Sequence, residues 1–393
     1  MKKIAILGST GSIGKQTIDI VRKDKKNFKI LLLTANKNHN LLSKQIKEFK
    51  VKNVIITNKK SYQLLKKKFK KINISNDFSK IDKMINSKLD YTMSSISGFD
   101  GLKPTIKIIK KTKTIAIANK ESIICGWSLI KKEINKHKTK FIPVDSEHFS
   151  IWSEIKNVNP EIIDQVIITA SGGPFLNLKN KKIKKTPKLA TNHPNWKMGK
   201  KISTDSATLM NKVFEVIEAK KIFSIDLNKF KILIHPKSYV HAIIKFNNGL
   251  IKLVAHDTDM KIPIFNTLYN NNNYKIKSKK INFKLLNNLN LDVVNLKKYP
   301  LVKILNHVPK TDTLFETLLV SVNDELVDLF LKNKISFEEI STKLKQIISH
   351  KDFLKYRQKK VNNLTQIEKL NEFVRLKTKS LSVISQQRWE KFF

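Results

Sequence analysis

The chain contains very little cysteine, and this excludes several classes of protein. Its 393 residues include a single cysteine, Cys125, so a disulfide framework within the chain is excluded. We expect no catalytic thiol at this position. Because so few cysteines are typical of proteins from a reducing compartment, we predict a cytoplasmic location.

Long hydrophobic runs are also absent. No apolar segment approaches the roughly 20 residues that span a bilayer, and the first apolar stretch, residues 4–7, is too short for the core of a signal peptide. Since the first predicted strand begins at residue 3, we expect no transit peptide either. The sequence therefore predicts a protein without a targeting segment and without a membrane partner.

Arginine is scarce although the chain is strongly basic. The formal net charge is +45, yet only four of the 77 basic residues are arginine, and lysine with abundant Asn and Ile is typical of an AT-rich genome. Proteins that read bases favour arginine for bidentate contacts and stacking, and zinc-finger spacing, basic-region heptads and aromatic RNA-binding signatures are missing. We expect no specific nucleic-acid partner, with weak non-specific binding as the remaining effect of the charge.

The length exceeds what one hydrophobic core usually organises, and the patterns predict an α/β protein of three domains. Alternating strands and helices over 1–144 predict a Rossmann-like NADP-binding domain with a doubly wound parallel sheet. Strand-like runs around glycine-rich loops predict a central α+β catalytic domain over 145–270. An Asn- and Lys-rich surface segment, 269–280, favours a linker over 271–295, and helical spacing predicts a C-terminal helical bundle over 296–393.

Ten β-branched or apolar runs predict individual strands. They are residues 3–7, 30–34, 53–57, 91–95, 114–118, 140–144, 165–169, 230–235, 239–245 and 249–254. Apolar residues at three- and four-residue spacing predict helices that include residues 314–320 and 324–331.

The first predicted strand leads directly into a glycine-rich turn with glycines at 8, 11 and 14, followed by a helix that opens near Lys15. Such a turn permits close backbone approach, and the helix N-terminus presents free N–H groups to a pyrophosphate. Because the turn follows strand one, we interpret it as a dinucleotide site rather than an ordinary turn. Its candidate residues are Thr10, Gly11, Ser12 and Ile13.

The end of the second strand indicates which dinucleotide is bound. An acidic residue there would hold the ribose hydroxyls of NAD, but this chain has Asn36, Lys37 and Asn38. A lysine between amide side chains suits a 2′-phosphate, so the pattern favours NADPH. The alternative is that Lys37 is an ordinary surface lysine.

Two acidic segments predict a metal site. Asp145 and Glu147 follow the strand at 140–144 and would point to the same side in an extended chain. In the second segment, Asp205 or Ser206 is a candidate helix N-cap, and the positions that would then share one helix face are Asn211, Glu215 and Glu218, beside Lys212. Carboxylates without a cysteine partner suit Mg²⁺ or Mn²⁺ rather than zinc.

Two further segments suit a ligand. Ser171, Gly172 and Gly173 follow a predicted strand and offer a hydroxyl and exposed N–H groups to an anion; a structural tight turn is the alternative. Residues 191–200, with His193, Trp196 and flexible glycine, have the composition of a flap that closes over a ligand. Taken alone, Trp196 would be assigned to the core, and His193, His235 and His241 would be ordinary hydrogen-bonded histidines.

Taken in order, these segments resemble the motif set of the 1-deoxy-D-xylulose 5-phosphate reductoisomerase family over about residues 1–265. The matching segments are residues 8–14, 118–122, 143–148, 171–175, 193–196, 198–199, 205–208 and 210–212. The resemblance implies the conversion of 1-deoxy-D-xylulose 5-phosphate into 2-C-methyl-D-erythritol 4-phosphate, with NADPH and Mg²⁺ or Mn²⁺, on the route to isoprenoid precursors. It also implies a homodimer.

The resemblance assigns roles to individual residues. The metal ligands it implies are Asp145, Glu147 and Glu215. The substrate residues it implies are Lys120, Ser146, Glu147, Ser171, His193, Ser206, Asn211 and Lys212, with Trp196 and Met198 in the flap. The NADPH residues it implies are Thr10 to Ile13, Asn36 to Asn38, Asn119, Glu121 and Gly199.

Two positions depart from the family pattern. Asn36 stands where the family usually has glycine, and residues 321–325, Ser-Val-Asn-Asp-Glu, stand where it has Asn-Ala-Ala-Asn-Glu. The alternatives are another NADP-dependent dehydrogenase of the semialdehyde or homoserine type, which would need no metal, and a nucleic-acid-binding protein, which would show a steep salt dependence and no turnover.

Overall fold

The computed structural model describes residues 1–178, 183–196, 198–269 and 274–389, with side chains described through residue 382. The chain forms two compact units. The first unit comprises Met1–Ile123, Leu129–Trp152 and Asp259–Lys279, and the second comprises Ile124–Ser128, Ser153–Thr258 and Lys280–Phe393. The division into functional domains at 144, 270 and 295 stays a prediction.

Twelve strands occur in the described residues. They are β1 (Lys2–Leu7), β2 (Phe28–Ala35), β3 (Asn53–Ile56), β4 (Asn73–Ser75), β5 (Tyr91–Ser94), β6 (Thr114–Ile117), β7 (Lys140–Pro143), β8 (Ile163–Ala170), β9 (Phe230–Ile234), β10 (Val240–Phe246), β11 (Ile251–Ala255) and β12 (Asp292–Val293). All ten predicted strands are confirmed with end shifts of one or two residues. The sequence missed β4 and β12, which are too short to show a hydrophobic period.

The described helices follow in chain order. The α-helices are α1 (Ser12–Lys23), α2 (His39–Phe49), α3 (Lys59–Lys68), α4 (Ile81–Met84), α5 (Leu102–Ile109), α6 (Lys120–His137), α7 (Ser146–Ile155), α8 (Pro187–Ala190), α9 (Lys200–Thr208), α10 (Met210–Phe223), α11 (Lys261–Tyr269), α12 (Phe283–Leu286), α13 (Phe315–Leu331), α14 (Phe337–Ile348), α15 (Lys351–Leu354) and α16 (Leu364–Trp389). Short 3₁₀ helices cover Phe99–Gly101, Pro160–Ile162, Leu227–Lys229, Pro300–His307 and Lys355–Arg357. Within the described residues, no helix is long and apolar enough to cross a bilayer.

The first unit is built on a seven-stranded parallel sheet in the order β4-β3-β2-β1-β5-β6-β7. This confirms the predicted doubly wound α/β fold. The strand order reverses at β1, between β2 and β5, and ligands of such sheets bind at the carboxyl ends of strands near this reversal. The predicted dinucleotide turn therefore lies at the position that the topology favours.

The core of the first unit also includes α11, which follows β11 in sequence. Ile264 and Leu268 of α11 are buried with strand residues such as Ile4. Tyr269, predicted to begin a surface segment, is instead the buried last residue of α11. Its ring packs edge-on against Phe28, with centroids 5.4 Å apart. The Asn-rich composition that follows concealed the end of this helix.

The second unit contains a mixed five-stranded sheet in the order β11-β10-β8-β9-β12. Strand β9 runs parallel to β8, whereas the other neighbours are antiparallel. The stretch 271–295, predicted as linker, includes β12, which pairs with β9. The predicted C-terminal helices are confirmed, and α13 is buried along almost its whole length, as expected for a helix surrounded by other helices.

Candidate functional site

The glycine turn, residues 8–14, is held by backbone and side-chain hydrogen bonds at the end of β1. Gly8 has a φ of +80° and donates its N–H to Thr34 Oγ1 at 2.9 Å. Gly11, the N-cap of α1, carries no side chain that could bond the N–H groups of the first helical turn. These N–H groups can therefore face an anionic ligand.

Gln45 of α2 fixes the turn, and sequence reasoning missed it. It is almost fully buried. Its Oε1 accepts from Ser9 Oγ at 2.8 Å, and its Nε2 donates to the Ser9 carbonyl at 3.0 Å. The only signal was a polar residue next to Ile46 on the buried face of an amphipathic helix.

The three candidate residues after β2 are exposed at the start of α2. Asn38 is the N-cap of α2, since its Oδ1 accepts from Leu41 N–H at 3.0 Å. The Lys37 carbonyl accepts from Ser61 Oγ at 2.8 Å, which fixes the backbone while the ammonium group stays in solvent. This segment presents amide and ammonium groups without a carboxylate, as a 2′-phosphate requires.

Asn119 positions the start of α6, directly after β6. Its Oδ1 accepts from Ser122 N–H at 2.6 Å, and its Nδ2 donates to the carbonyls of Ile96 and Gly98. One side chain thus caps α6 and fixes the loop after β5. The next two residues, Lys120 and Glu121, are both more than nine-tenths buried.

The acidic segment after β7 does not have the extended geometry that we predicted. Asp145 precedes α7, and Glu147 lies in its first turn, because the chain enters a helix at Ser146. The Ser146 hydroxyl donates to Glu147 Oε2 at 2.5 Å. The two carboxylates therefore stay close through a helix start and not through strand alternation.

Lys120 keeps Asp145 ionised. Burial and the neighbouring charge of Glu147 would raise the pKa of Asp145. Lys120 Nζ, however, lies 3.0 Å from Asp145 Oδ2 and favours the ionised carboxylate. The pKa of this carboxyl is therefore lowered below its ordinary value. A carboxylate that is ionised without a bound cation is ready to accept one.

In the second unit, the second acidic segment, residues 205–218, is divided between two helices. Asp205 and Ser206 lie inside α9 and not at an N-cap, so that prediction is wrong. The break falls at Leu209, whose φ of +60° ends α9 and starts α10. Asp and Ser suggested a cap because they are common there, whereas leucine gives no signal for a left-handed residue.

Three candidate residues of α10 contact one another. Glu215 accepts from Asn211 Nδ2 on one oxygen and from Lys212 Nζ at 2.6 Å on the other. All three are at least nine-tenths buried. This is the one-sided polar face that their spacing predicted, within an otherwise apolar helix.

His193 joins two serines that lie far apart in sequence. Its Nε2 lies 2.9 Å from Ser171 Oγ and 3.2 Å from Ser206 Oγ. Its Nδ1 accepts the backbone N–H groups of Asn195 and Trp196 at 3.2 and 3.0 Å, so the proton of the neutral ring is on Nε2. We call Ser171, His193 and Ser206 the Ser–His–Ser cluster.

Burial, with Lys212 as a smaller cause, lowers the pKa of His193 to about 4. The ring is therefore neutral at pH 7, and it can donate one hydrogen bond through Nε2. Gly173 brings the turn after β8 close to α9, since a Cβ there would lie 2.6 Å from the Ser206 carbonyl oxygen. Together these groups form a cradle of hydroxyl and N–H donors.

The described part of the predicted flap packs on a histidine pair. The Trp196 ring meets His241 edge-on at 6.1 Å, and His241 stacks on His256 at 3.7 Å. Asn195 Nδ2 donates to the Pro236 carbonyl and to Ser238 Oγ at 2.6 and 2.8 Å. Gly199 is the N-cap of α9, and Lys197 lies outside the described residues.

Comparison with known proteins gives matches over nearly the whole chain. The sequence model for 1-deoxy-D-xylulose 5-phosphate reductoisomerase matches residues 4–126, that for its C-terminal domain matches 141–223, and that for a DXP reductoisomerase C-terminal domain matches 256–377. A reductoisomerase from Pelagibacter ubique is 57% identical over 388 residues, covering 98% of this chain and 100% of the relative. One from Caldanaerobacter subterraneus is 37% identical, covering 90% and 93%.

Solved structures of reductoisomerases are also similar to this chain over nearly its whole length. The reductoisomerase of Zymomonas mobilis in complex with NADPH superposes with a TM-score of 0.87 at 30% identity, covering 97% of this chain and 99% of that one. A DOX-P reductoisomerase in complex with NADPH, fosmidomycin and magnesium gives a TM-score of 0.90 at 29% identity, covering 98% and 100%.

Proposed function

Because the chain belongs to the 1-deoxy-D-xylulose 5-phosphate reductoisomerase family, we propose that it converts 1-deoxy-D-xylulose 5-phosphate into 2-C-methyl-D-erythritol 4-phosphate. The reaction is a skeletal rearrangement followed by reduction, and it commits its substrate to the non-mevalonate route to isoprenoid precursors. NADPH and a divalent cation, Mg²⁺ or Mn²⁺, are the cofactors. The match to curated relatives over almost the full length carries this conclusion.

The Ser–His–Ser cluster, with Asn211 and Lys212, holds the substrate phosphate and hydroxyl groups. Two hydroxyls, a neutral imidazole N–H and an ammonium group suit a phosphate, because each can donate to its oxygens. The low pKa of His193 means that the charge complementing the phosphate is supplied by Lys212. Such contacts at the non-reacting end of the substrate supply binding energy that orients the reacting end.

Asp145, Glu147 and Glu215 are the metal ligands in this proposal. The fit rests on their chemistry: all three offer carboxylate oxygens, and Lys120 holds Asp145 ionised, which suits a hard divalent cation. A bound cation would supply Lewis-acid stabilisation of the negative charge that develops on the substrate oxygens. Lys120, Ser146 and Glu147 also contact the substrate, and Ser146 fixes the orientation of Glu147 through its hydrogen bond.

NADPH is held by residues of the glycine turn, by the segment after β2, and by three further residues. They are Thr10, Gly11, Ser12, Ile13, Asn36, Lys37, Asn38, Asn119, Glu121 and Gly199. The fit rests on the open N-terminus of α1, which suits the pyrophosphate, and on the exposed lysine that suits the 2′-phosphate. NADPH supplies the hydride for the reductive step.

The flap, residues 191–200, excludes water once substrate is bound. Trp196 and Met198 contribute apolar surface to it, and exclusion of water protects a reactive aldehyde formed between rearrangement and reduction. Family resemblance supports two further features, a homodimer and a cytoplasmic location.

The direct test is an assay with purified protein, 1-deoxy-D-xylulose 5-phosphate, NADPH and Mg²⁺ or Mn²⁺, following the absorbance of reduced nicotinamide. We expect the protein to oxidise NADPH in the presence of substrate. A chelator should abolish this activity, and Glu215→Gln should lower its rate by about 100-fold. The matched control is Glu154→Gln, since Glu154 is a partly exposed carboxylate paired with Lys252 in the same unit. A folded protein that binds NADPH and turns over no substrate contradicts the proposal and favours another dehydrogenase.

A further inference from the structure

Two adjacent residues of α13 contact α9 through polar side chains. Asn323 Nδ2 donates to Asp205 Oδ1 at 2.8 Å. Lys201 Nζ lies 2.9 Å from Asp324 Oδ1 and 3.3 Å from Asp205 Oδ2. These four side chains form a continuous link between the two helices, which we call the α9–α13 clamp.

Three of the four clamp residues, Asp205, Asn323 and Asp324, are buried, so their polar groups require partners. Asn323 is fully buried and Asp205 is 2% exposed. A carboxylate in such surroundings is costly unless hydrogen-bond donors and a counter-charge surround it. Asp205 receives the counter-charge from Lys201 of its own helix and a hydrogen bond from Asn323 of α13. The hydrogen bond from Asn323 therefore favours the position of α9 in which Asp205 reaches α13.

The position of α9 determines where Ser206 lies. Ser206 directly follows Asp205, and its hydroxyl approaches His193 Nε2 at 3.2 Å. A displacement of α9 by a fraction of an ångström changes this distance and the close approach of Gly173 to the Ser206 backbone. The arrangement of donors in the Ser–His–Ser cluster therefore depends on contacts made by α13.

We propose that Asn323 and Asp324 are positioning residues for phosphate binding: they fix α9 through Asp205 and Lys201, so that Ser206 completes the donor set around the phosphate. This inference rests on the proposed function of the Ser–His–Ser cluster. The two residues are adjacent on α13, and each contacts a different side chain of α9.

The alternative is that the clamp only stabilises the packing of α13, and a matched pair of variants separates the two. Asn323→Ala removes the hydrogen bond from α13 to Asp205 of α9. Ser321→Ala removes a hydrogen bond from the same helix to α16 and not to α9, because the Ser321 hydroxyl donates to Asn371 Oδ1 at 2.8 Å. Both variants weaken the packing of α13, whereas only the first weakens the link between α13 and α9.

The kinetic test measures KM and kcat for both substrates. For Asn323→Ala we expect KM for the sugar phosphate to rise about 10-fold with kcat changed much less, as when a hydrogen bond to a charged group is lost. KM for NADPH stays unchanged. Asp324→Asn, which keeps a hydrogen bond to Lys201 but removes the charge, gives a smaller rise in the same constant. Ser321→Ala lowers the melting temperature and leaves KM unchanged.

Binding of inorganic phosphate provides a readout without turnover. Titration calorimetry should show weaker phosphate binding by Asn323→Ala, wild-type phosphate binding by Ser321→Ala, and unchanged NADPH binding by both. Equal effects of the two variants, or wild-type phosphate binding by Asn323→Ala, overturn the inference. Absence of sugar-phosphate turnover by the wild type overturns the proposed function, whereas absence of phosphate binding by a wild type that turns over the sugar phosphate overturns the inference alone.

Discussion

Gly14 of α1 packs directly against Gly8, so that a Cβ on Gly14 would overlap the Gly8 carbonyl oxygen and would lie 2.6 Å from Ser9 Cα. Backbone atoms cannot move aside as a flexible side chain can. We therefore expect Gly14→Ala to lower the free energy of unfolding by about 3 kcal/mol, the upper part of the range for overpacked sites. Urea denaturation followed by circular dichroism measures the change.

Gly11→Ala is the matched control, because a Cβ at Gly11 would lie 3.3 Å from the nearest atom, the Gly8 carbonyl oxygen. We expect a loss of less than about 1 kcal/mol. The same variant should weaken NADPH binding, because the added methyl group lies in the turn that the proposal assigns to the pyrophosphate. Equal losses of stability in the two variants would show that the two glycines do not differ in packing.

Lys37 tests the choice of cofactor. If its ammonium group binds the 2′-phosphate, Lys37→Ala raises KM for NADPH by about 10-fold, equivalent to about 1.4 kcal/mol, and leaves KM for NADH unchanged. The control is Lys29→Ala. Lys29 is an exposed lysine near the start of β2, whereas Lys37 follows the end of this strand. A parallel change for both nucleotides after Lys37→Ala would contradict a contact with the 2′-phosphate.

Sequence patterns predicted the framework because it depends on local periodicity. The strands of both sheets carry runs of β-branched and apolar residues. The glycine turn is recognisable because it follows the first strand directly. The break between α9 and α10 escaped prediction because it depends on one left-handed residue, Leu209. Nothing in its residue type favours that conformation, so only the packing of the folded chain selects it.

The candidate site was predictable in its residue types but not in its contacts. Glu215 and its neighbours on α10 follow from spacing along one helix. In contrast, the Nε2 proton of His193 depends on two backbone N–H groups that occupy Nδ1. Asn323 lies 118 positions from Asp205, and a buried polar residue on an apolar helix gives no indication of its partner.

His193 gives the protein a defined dependence of stability on pH. Its pKa is about 4 in the folded chain, whereas an unfolded histidine titrates near 6.5, so the unfolded chain binds more protons between these values. We therefore expect this residue to lower the stability of the fold as pH falls from about 6.5 to 4. NMR titration of the ring protons should give a midpoint near 4.

A second measurement links this shift to the Ser–His–Ser cluster. His193→Gln should flatten the acid side of the stability curve measured by urea denaturation at several pH values. Inorganic phosphate should raise the ring midpoint, because an anion beside the imidazole favours its charged form. A midpoint of 6.5 without phosphate would mean that the ring is more hydrated than its contacts indicate.

Lys221 and Glu316 form an ion pair inside the second unit. The ammonium nitrogen lies 3.1 Å from Glu316 Oε1 and 2.7 Å from Asp312 Oδ1, and both Lys221 and Glu316 are buried. Burial would lower the pKa of Lys221, but the two carboxylates outweigh it and raise the pKa. The stabilisation is thus fully present below the ordinary lysine pKa and is lost only as pH rises through the higher folded value.

Lys221→Met leaves Glu316 buried without this counter-charge, and we expect a loss of about 3 kcal/mol in the free energy of unfolding. The control is Lys332→Met, which breaks an exposed pair with Asp328 on the end of α13 and should leave the denaturation midpoint unchanged. Combining Lys221→Met with Glu316→Leu should recover much of the loss, because the cost comes from the unpaired carboxylate. If the double variant is no more stable than Lys221→Met, the lysine acts through packing of its aliphatic stem instead of through its charge.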